Sequence, residues 1–361
     1  MSRRQHNRAG YTIEHTTDPT RTMIMPAPRV TIAQVAAEAG VSAMTVSNVI
    51  NSRPGASEST RQRVLEVAER LGYTPPSTRN GKRGRTGLVG VLTLDLTGEY
   101  SLEIVRGIAE EIADDERELL LNASVDAIRE RDRIAFLANG LVDGLLLIAP
   151  VLEPETMQEV QAGELPVVVI DPRRLDMDLP RVMVDNYEGV RAGTQHLLEL
   201  GHRRIAYIRG EEDHESTERR FRGYADALLL AGLQPEPALV ASSNFNRQGG
   251  VHAATQLLTT QRPTAIVAGA DLIALGAFDA AQELGLSIPD DLSIVGFDDL
   301  PQAAHSVPPL TTVRQPLRDM GRAGARALLS LIANQPLPTD DIRLPTKLIL
   351  RDTTTAPVDI R

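Results

Sequence analysis

The chain has 361 residues, 42% of them hydrophobic, which indicates two or three domains and excludes a wholly disordered protein. Its net charge of −10 is uneven, because residues 1–87 hold 13 basic and 6 acidic side chains whereas residues 88–361 hold 25 and 42. Cysteine is absent, which excludes disulfides, thiolate metal ligands and cysteine nucleophiles.

A basic head on an acidic body is typical of a nucleic-acid-binding module joined to a part that avoids nucleic acid. A basic tail with no partner would have the same composition. No apolar run approaches the ~20 residues of a membrane span, and the first 30 residues hold no apolar secretory signal. We therefore expect a cytoplasmic protein with no membrane partner. Residues 1–28 are polar and without periodicity, and they are predicted to be a disordered tail.

Three short helices are predicted in the next segment, residues 29–74. Thr31 and Gln34 have the spacing of a capping box at the start of the first helix, which Gly40 ends. Ser42 is placed to cap the second helix. The tight, glycine-containing turn between these two helices is typical of a helix-turn-helix unit.

Apolar periodicity assigns the faces of the second and third helices. On the second helix the predicted inward residues are Val46, Val49 and Ile50, and the predicted outward residues are Met44, Ser47 and Asn48. The third helix follows Ser57, and its predicted buried residues are Val64, Leu65, Ala68 and Leu71, with Gly72 as its stop. Residues 75–87 are rich in proline, glycine and basic residues and are predicted to be a linker.

Residues 88–361 alternate between apolar runs typical of strands and helical patterns. The predicted strands are Leu88–Leu94, Leu119–Ala123, Leu145–Ile148, Val167–Ile170, Val182–Val184, Ile205–Ile208, Ala265–Ala268 and Ser293–Phe297. Helical patterns separate most of these strands, for example Leu102–Ile112, Gly189–Leu200, Phe221–Ala231, Gly249–Leu258, Leu272–Leu284 and Leu317–Ile332. This alternation predicts parallel sheets covered by helices, in two halves of roughly 100–140 residues each.

Several motifs carry a resemblance to a known family. Residues 30–73, VTIAQVAAEAGVSAMTVSNVINSRPGASESTRQRVLEVAERLGY, closely resemble the DNA-binding head of the LacI/GalR family of bacterial transcription repressors. The effector-binding core of that family is similar to LLELGHRRIAYIRG (197–210), the R-x-x-G-Y of residues 220–224, IPDDLSIVGFDDL (288–300) and PPLTTVRQP (308–316).

The resemblance implies a multidomain protein. An all-α helix-turn-helix head would precede an α/β periplasmic-binding-protein-like core of two doubly wound subdomains, which starts at residue 88. It further implies a homodimer or a dimer of dimers on a pseudo-palindromic double-stranded operator. A small effector, usually a sugar, would bind between the subdomains, with no cofactor, metal or catalytic residue.

On the head, the resemblance assigns base reading to Ala43, Met44 and Asn48. Ala43 and Met44 offer only apolar contact, for instance to a thymine methyl, unless they merely pack. Asn48 is able to pair with adenine, at a position where many family members carry a guanine-reading arginine. The implied phosphate contacts are Thr31, Ser42, Thr45, Ser47, Asn51, Thr60 and Tyr73. Simple helix capping also accounts for Thr31 and Ser42.

The linker departs from the family, in which it folds into a short hinge helix whose leucine wedges into the minor groove. Here residues 76–85 contain Gly81 and Gly84, and Lys82 stands near the expected leucine. Each glycine costs roughly 1 kcal/mol in a helix. Without an apolar wedge nothing drives the unstacking of a base step, so a weak or absent hinge helix and a less kinked operator are predicted.

In the core, the resemblance places the effector site at Asp171, Arg220 and Asp298. Further matching cleft positions are Ser216 and Gln315, and the rings expected to stack on a sugar are Tyr100, on the loop after the first strand, and Phe245. The alternatives are a helix cap for a lone aspartate and an interdomain salt bridge between Arg220 and Asp298. Ala270 stands where the family usually has an asparagine that contacts ligand hydroxyls.

These residues, together with the resemblance, predict a ligand-responsive transcriptional repressor without catalytic activity, and the resemblance implies that it controls carbohydrate-utilisation genes. The alternatives are a solute-binding protein, a sugar-processing enzyme on the same core, and an activating or corepressor-dependent regulator. The acidic cluster EEDHE at 211–215 is not assigned to a metal, because adjacent loop residues rarely converge on one ion. The apolar stripes at 101–116 and 272–284 fit either the core or a second protomer.

Overall fold

A computed structural model describes residues 31–50, 56–71, 73, 86–94, 96, 98–123 and 127–358. The chain divides into two compact units, which are residues 1–83 and residues 84–361. The predicted tail, linker residues 75–85, Asn51 and Gly72 lie outside the described residues. No helix of the described part combines the length and apolar character that crossing a membrane requires.

The described part of the first unit, called the head below, contains three helices: α1 (Ile32–Ala39), α2 (Ala43–Ile50) and α3 (Glu58–Leu71). The predicted capping box is present, since the Gln34 backbone N–H donates to the Thr31 hydroxyl and the Thr31 backbone N–H donates to the Gln34 side chain. Gly40 ends α1 in the left-handed conformation, at a φ of 66°, that glycine adopts without strain.

Valines and alanines from all three helices form the core of the head. The buried set is Val35, Ala36, Ala39, Val46, Val49, Val64, Val67, Ala68 and Tyr73. The prediction that Leu65 is buried is wrong, because its side chain is 49% exposed and Val67 takes the inward position. Val64, Val67 and Ala68 share one stripe at three- and four-residue spacing, and a residue next to Val64 falls outside it.

The second unit, called the core below, alternates strands and helices. In chain order its elements are β1 (Leu88–Thr93), α4 (Glu99–Ala113), β2 (Glu118–Ala123), α5 (Ala127–Ala138), β3 (Gly144–Ile148), α6 (Pro154–Gln161), β4 (Val167–Ile170), β5 (Arg181–Val184), α7 (Asn186–Glu199), β6 (Ile205–Arg209), α8 (Glu215–Leu230), β7 (Val240–Ser242), α9 (Arg247–Thr260), β8 (Ala265–Ala268), α10 (Asp271–Glu283), β9 (Ser293–Asp298), α11 (Pro301–His305), β10 (Thr311–Arg314), α12 (Leu317–Ile332), β11 (Asp341–Leu344) and β12 (Lys347–Ile349).

These strands form two six-stranded sheets, in the orders β11-β5-β4-β3-β1-β2 and β12-β10-β9-β8-β6-β7. Apart from the antiparallel β12, neighbouring strands pair in parallel. Apolar clusters cover both faces of each sheet. Each sheet with its helices is a subdomain, the first built on β1–β5 and the second on β6–β10. The predicted architecture of two doubly wound subdomains is therefore present.

The chain passes between the subdomains three times. It crosses after β5, returns after β10 and crosses again between β11 and β12. Ligands of open parallel sheets bind at the carboxyl ends of the strands, where the connecting loops meet. The three crossings therefore hold two such edges against one cleft.

In the first subdomain, α12 packs closely against α4, although the two helices are far apart in the chain. Gly107 and Gly321 stand at this crossing, where a Cβ on Gly107 would overlap the Arg318 carbonyl and one on Gly321 would overlap the Ile104 carbonyl. Arginines of α12 pair with glutamates of α4 alongside it: Arg318 with Glu103, Arg322 with Glu110 and Arg326 with Glu111.

All eight predicted strands and all six predicted core helices are present, with ends displaced by up to six residues. The sequence prediction did not name the short or charged elements, which are α5, α6, α11, β7, β10, β11 and β12. These segments offer few apolar residues in a regular period, and their pairing depends on distant parts of the chain.

Candidate functional site

Helix α2 presents an uncharged face to solvent. Val46 and Val49 anchor the helix in the head core, and the Met44 side chain on the outer side is 72% exposed. Asn48 lies one turn after Met44 and is half-buried, as is Ser47, while Ala43 is exposed. Met44 is therefore on the outward side, as predicted, and does not pack within the described head, whereas Ser47 and Asn48 are only partly exposed. A short helix with such a face has the dimensions that fit a DNA major groove.

The three helix starts of the head are all capped by exposed hydroxyls. The Thr45 backbone N–H donates to the Ser42 hydroxyl at 3.1 Å, and the Thr60 backbone N–H donates to the Ser57 hydroxyl at 3.3 Å. The Thr31 cap of α1 completes the set. A helix N-terminus favours an anion, so these capping roles are compatible with the predicted phosphate contacts of Thr31, Ser42, Thr45 and Thr60. The Tyr73 ring packs in the head core and is only 9% exposed.

A cavity of about 450 Å³ lies between the two subdomains of the core. The lining residues from the first subdomain include Thr93, Leu94, Tyr100, Ile148, Ala149, Asp171 and Arg173. Those from the second include Glu211, His214, Ser216, Arg220, Phe245, Ala270, Leu272, Asp298, Leu300 and Gln302. Six of the seven predicted effector residues therefore line one cavity.

Asp171 follows β4 and has a left-handed backbone, with a φ of 53°. The Tyr100 hydroxyl donates to its carboxylate at 2.7 Å. Tyr100 stands in the first turn of α4 rather than on the predicted loop, because that helix begins at Glu99. Burial, and then the Asp171 carboxylate, raise the pKa of Tyr100 well above its usual value, so the phenol keeps its proton.

Arg220 is buried and makes a fixed set of contacts. Its Nε donates to the Asn186 side chain at 2.7 Å and its Nη1 donates to the Gly269 carbonyl at 2.6 Å. The guanidinium carbon lies 3.9 Å from the centre of the Phe297 ring. Arg220 is thus held by Asn186 and Gly269 rather than by the alternative salt bridge to Asp298. Because both of these partners are neutral, the positive charge of Arg220 acts on the cavity through space.

Asp298 ends β9 and is buried beside the cavity. Burial raises its pKa to about 6, against the opposing effects of the Arg220 charge and of the hydrogen bond from Gln315. The Gln315 amide donates to the Asp298 carboxylate at 2.6 Å. Gln315 is buried and does not line the cavity, so in this structure its side chain contacts Asp298 rather than the space that the cavity encloses.

Phe245 supplies a large apolar surface at the side of the cavity that belongs to the second subdomain. Its ring meets the His214 ring edge-on at 5.1 Å, and Gly210 leaves room for it, since any Cβ there would overlap the phenyl ring. Ser216 lines the same side from the first turn of α8, and Ala270 is buried where it adds only a methyl group. An apolar ring next to hydroxyls and carboxylates suits a ligand with both polar and apolar faces.

Arg173 is a cavity residue that the sequence reasoning missed. It extends from the first subdomain to the second, where its Nη1 lies 3.2 Å from a Glu211 oxygen and 3.3 Å from an Asp213 oxygen. The Glu215 backbone N–H also donates to the Arg173 carbonyl at 2.8 Å. Its position two residues after Asp171, in the same strand-end loop, was the available signal.

Three side chains of the acidic cluster at 211–215 come closer together than we expected for adjacent loop residues. Ligand atoms of Glu211, Asp213 and His214 lie within 4.8 Å of one another. The Arg173 guanidinium already provides a positive charge for both acids, and the His214 ring nitrogen lies 3.2 Å from Glu211. The cluster therefore connects the two sides of the cleft.

Two family models match the chain. The model of the bacterial regulatory proteins of the lacI family matches residues 31–76, and the model of a periplasmic binding protein-like domain matches residues 194–354. Catabolite control protein A of Priestia megaterium is 32% identical over an alignment of 332 residues, and the match covers 90% of this chain and 99% of that protein.

Solved structures match both units. The transcriptional regulator CelR in its cellobiose complex has a TM-score of 0.71 and 32% identity, with 90% of this chain and all of that chain covered. The lac repressor dimer bound to operator and the anti-inducer ONPF has a TM-score of 0.69 and 29% identity, with 91% of this chain and all of that chain covered.

Proposed function

The chain belongs to the LacI family of bacterial regulatory proteins, and we propose that it represses carbohydrate-utilisation genes from a pseudo-palindromic operator, under the control of a sugar bound in the core cavity. It is a DNA-binding transcriptional regulator and, like its relatives, not an enzyme. Because its target is an operator on the bacterial chromosome, the proposed site of action is the cytoplasm.

The cavity between the subdomains is the observation that carries the effector proposal. Asp171 supplies a carboxylate from one subdomain and Asp298 supplies one from the other, and both are acceptors for sugar hydroxyls. Phe245, Leu272 and Leu300 offer apolar surface for the C–H face of a sugar ring. The relative CelR holds cellobiose in its solved complex, which supports a neutral sugar as the class of effector.

A sugar that contacts both subdomains favours the relative orientation in which all of its contacts are made. If the two heads bind their half-sites better in one orientation, sugar and operator affinities become coupled, typically by 1–3 kcal/mol. The proposed roles are hydrogen bonding for Asp171, Ser216 and Asp298, a fixed positive charge for Arg220, and ring contact for Tyr100 and Phe245.

A second copy of the chain is part of the proposal, because a pseudo-palindromic operator needs two heads. A groove of about 860 Å³ on the second subdomain, lined mainly by residues of α10, α11 and the loops that follow each of them, is the proposed contact. It includes the half-buried Phe278 and Ile288, and Val307 beside them is 91% exposed. The lac repressor structure is a dimer on its operator, which supports this arrangement.

Selection of operator duplexes with the purified full chain tests the proposal. Enrichment of a two-fold symmetric site is expected, and its affinity should change when one member of a panel of neutral mono- and disaccharides is added. A fall in affinity identifies an inducer and a rise identifies a corepressor. If no duplex is enriched over random sequence, the proposed function is wrong.

Asp171→Asn locates the effector site in the same assay. The variant keeps the shape of the side chain and should bind the operator like the wild type, with the sugar response weakened at least tenfold in sugar concentration. Asp176→Asn is the matched control, since Asp176 is an exposed carboxylate in the same loop, paired with Arg174. An unchanged sugar response in Asp171→Asn would place the effector elsewhere.

A further inference from the structure

Helix α2 has no charged residue anywhere between Ala43 and Ile50. Guanine is read in the major groove mostly by arginine or lysine, which donate to its O6 and N7 acceptors. Among the described head residues, arginines occur on α3 alone. Arg61 donates to the Val49 carbonyl at the end of α2, and Arg70 pairs with Glu38 on α1. The third arginine, Arg63, is exposed on α3, so the described head places none of its arginines on α2 itself.

The outward face of α2 instead offers a thioether and an amide. Met44 exposes 72% of its side chain, the largest exposed fraction among the large apolar residues of the described head. In the major groove, the apolar feature of a base pair is the 5-methyl group of thymine. An exposed, flexible methionine can bury that methyl, whereas it has no donor or acceptor strong enough to read a polar base edge.

Asn48 follows Met44 by one helical turn and shares its face. Its carboxamide forms no hydrogen bond with any described residue, so both its donor and its acceptor are available. An asparagine amide matches adenine in a bidentate pair, accepting from N6 and donating to N7. Four residues advance a helix by about 6 Å, close to two base-pair steps of about 3.4 Å.

We infer that each operator half-site is read by α2 through A·T pairs alone: a thymine methyl against Met44 and, about two steps away, an adenine against Asn48. The inference rests on the proposed function and deepens it by naming the base chemistry that the head recognises. A guanine at either of these two positions adds nothing to the affinity of the head for the operator.

Base analogues in the enriched operator test this reading directly. Thymine is replaced by deoxyuridine, which lacks only the 5-methyl group, at one position of one half-site at a time, at fixed salt. At one position in each half-site, the deoxyuridine substitution should weaken operator binding by the wild type about fourfold, which is the effect of losing one buried methyl group. Replacing adenine by 7-deazaadenine removes the N7 acceptor and should weaken binding by about fivefold or more at a second position.

Variants assign each effect to its side chain. In Met44→Ala the deoxyuridine substitution should have no effect, and in Asn48→Ala the 7-deazaadenine substitution should have none. Asn48→Arg should move the preferred base at its position from adenine to guanine. Leu65→Ala is the matched control, since it removes an exposed apolar side chain from α3, and it should retain the full deoxyuridine effect.

The outcomes separate this inference from the function on which it rests. Failure to enrich any operator contradicts the proposed function. A symmetric operator with guanine at the positions that α2 contacts, or one in which deoxyuridine and 7-deazaadenine are neutral at every position, overturns the inference and leaves the function standing.

Discussion

The head and the core build their candidate sites in different ways. The outward face of the head lies on one eight-residue helix, whose cap, inward valines and outward side chains are all fixed by local sequence. The core cavity gathers residues that are far apart in the chain, from Thr93 to Gln302, and each is placed by the end of a strand or the start of a helix. A substitution in the head should therefore act locally, whereas the cavity should respond to changes in distant packing.

The largest effect is expected from Gly321→Ala in the core. The new Cβ would overlap the Ile104 carbonyl, so α12 must move away from α4. Overpacking of this kind costs about 3 kcal/mol. The free energy of unfolding of the core should fall by that amount in urea, and the sugar affinity should fall with it.

Ser330→Ala, nine residues further along α12, is the control and should stay within about 0.5 kcal/mol of the wild type. If Gly321→Ala lowered the stability of the head as much as that of the core, the comparison between a local and a distributed site would be wrong.

A pH titration of sugar binding should give the next largest effect. The pKa of Asp298 is raised to about 6, chiefly by burial, so its carboxyl is mostly protonated below pH 6 in the free protein. Sugar hydroxyls donate to the ionised form, and binding below pH 6 must first remove the proton. The sugar affinity should therefore rise about tenfold from pH 5 to pH 7 and level off above it.

Asp298→Asn supplies the control for this titration, because the amide does not ionise. Calorimetry of sugar binding should show a flat pH profile for the variant. His214 lines the same cavity, and burial lowers the pKa of its ring below the usual value. If the slope persists in Asp298→Asn, another group titrates with the effector.

Arg173→Ala should have a smaller effect on the same binding reaction. Arg173 joins the subdomains through Glu211 and Asp213, so its removal makes the closed cleft less favourable. We expect sugar to bind about fivefold more weakly, in line with about 1 kcal/mol for a partly buried pair. Arg174→Ala is the matched control, because Arg174 pairs with Asp176 on the surface. Equal effects of the two substitutions would show that Arg173 does not connect the subdomains.

The smallest effect concerns the cap of α2. Ser42→Ala should lower the stability of the head by about 1 kcal/mol, seen as faster hydrogen exchange of α2 amides. Ser42→Asp restores the cap and the stability, but it places a negative charge where a phosphate contact is predicted, so operator affinity should still fall. Wild-type operator binding by Ser42→Asp would leave Ser42 as a helix cap only.

The sequence predicted the head almost residue by residue, because its caps and apolar stripe act over three or four positions. The Thr31 capping box, the Gly40 stop and the outward Met44 are all confirmed. The predicted burial of Leu65 was wrong because one step along a helix turns a side chain by about 100°. The apolar pattern there was compatible with an inward position for either of two neighbouring residues.

In the core, sequence motifs predicted which residues belong to the site, but their contacts with one another depend on the fold. Asp171, Arg220 and Asp298 were predicted and do line one cavity. Arg173 was missed, and Gln315 proved to support Asp298 rather than face the cavity, since both depend on contacts between subdomains. Those contacts follow from how the three crossings place the two sheets, which no local pattern contains.

Reciprocal binding measurements on the full-length protein test the central claim that the head and the core are energetically coupled. Operator affinity is measured with and without saturating sugar, and sugar affinity is measured with and without saturating operator. The account predicts that both affinities change by the same factor, between about 5 and 150. A sugar that binds the core equally well with and without operator would contradict it.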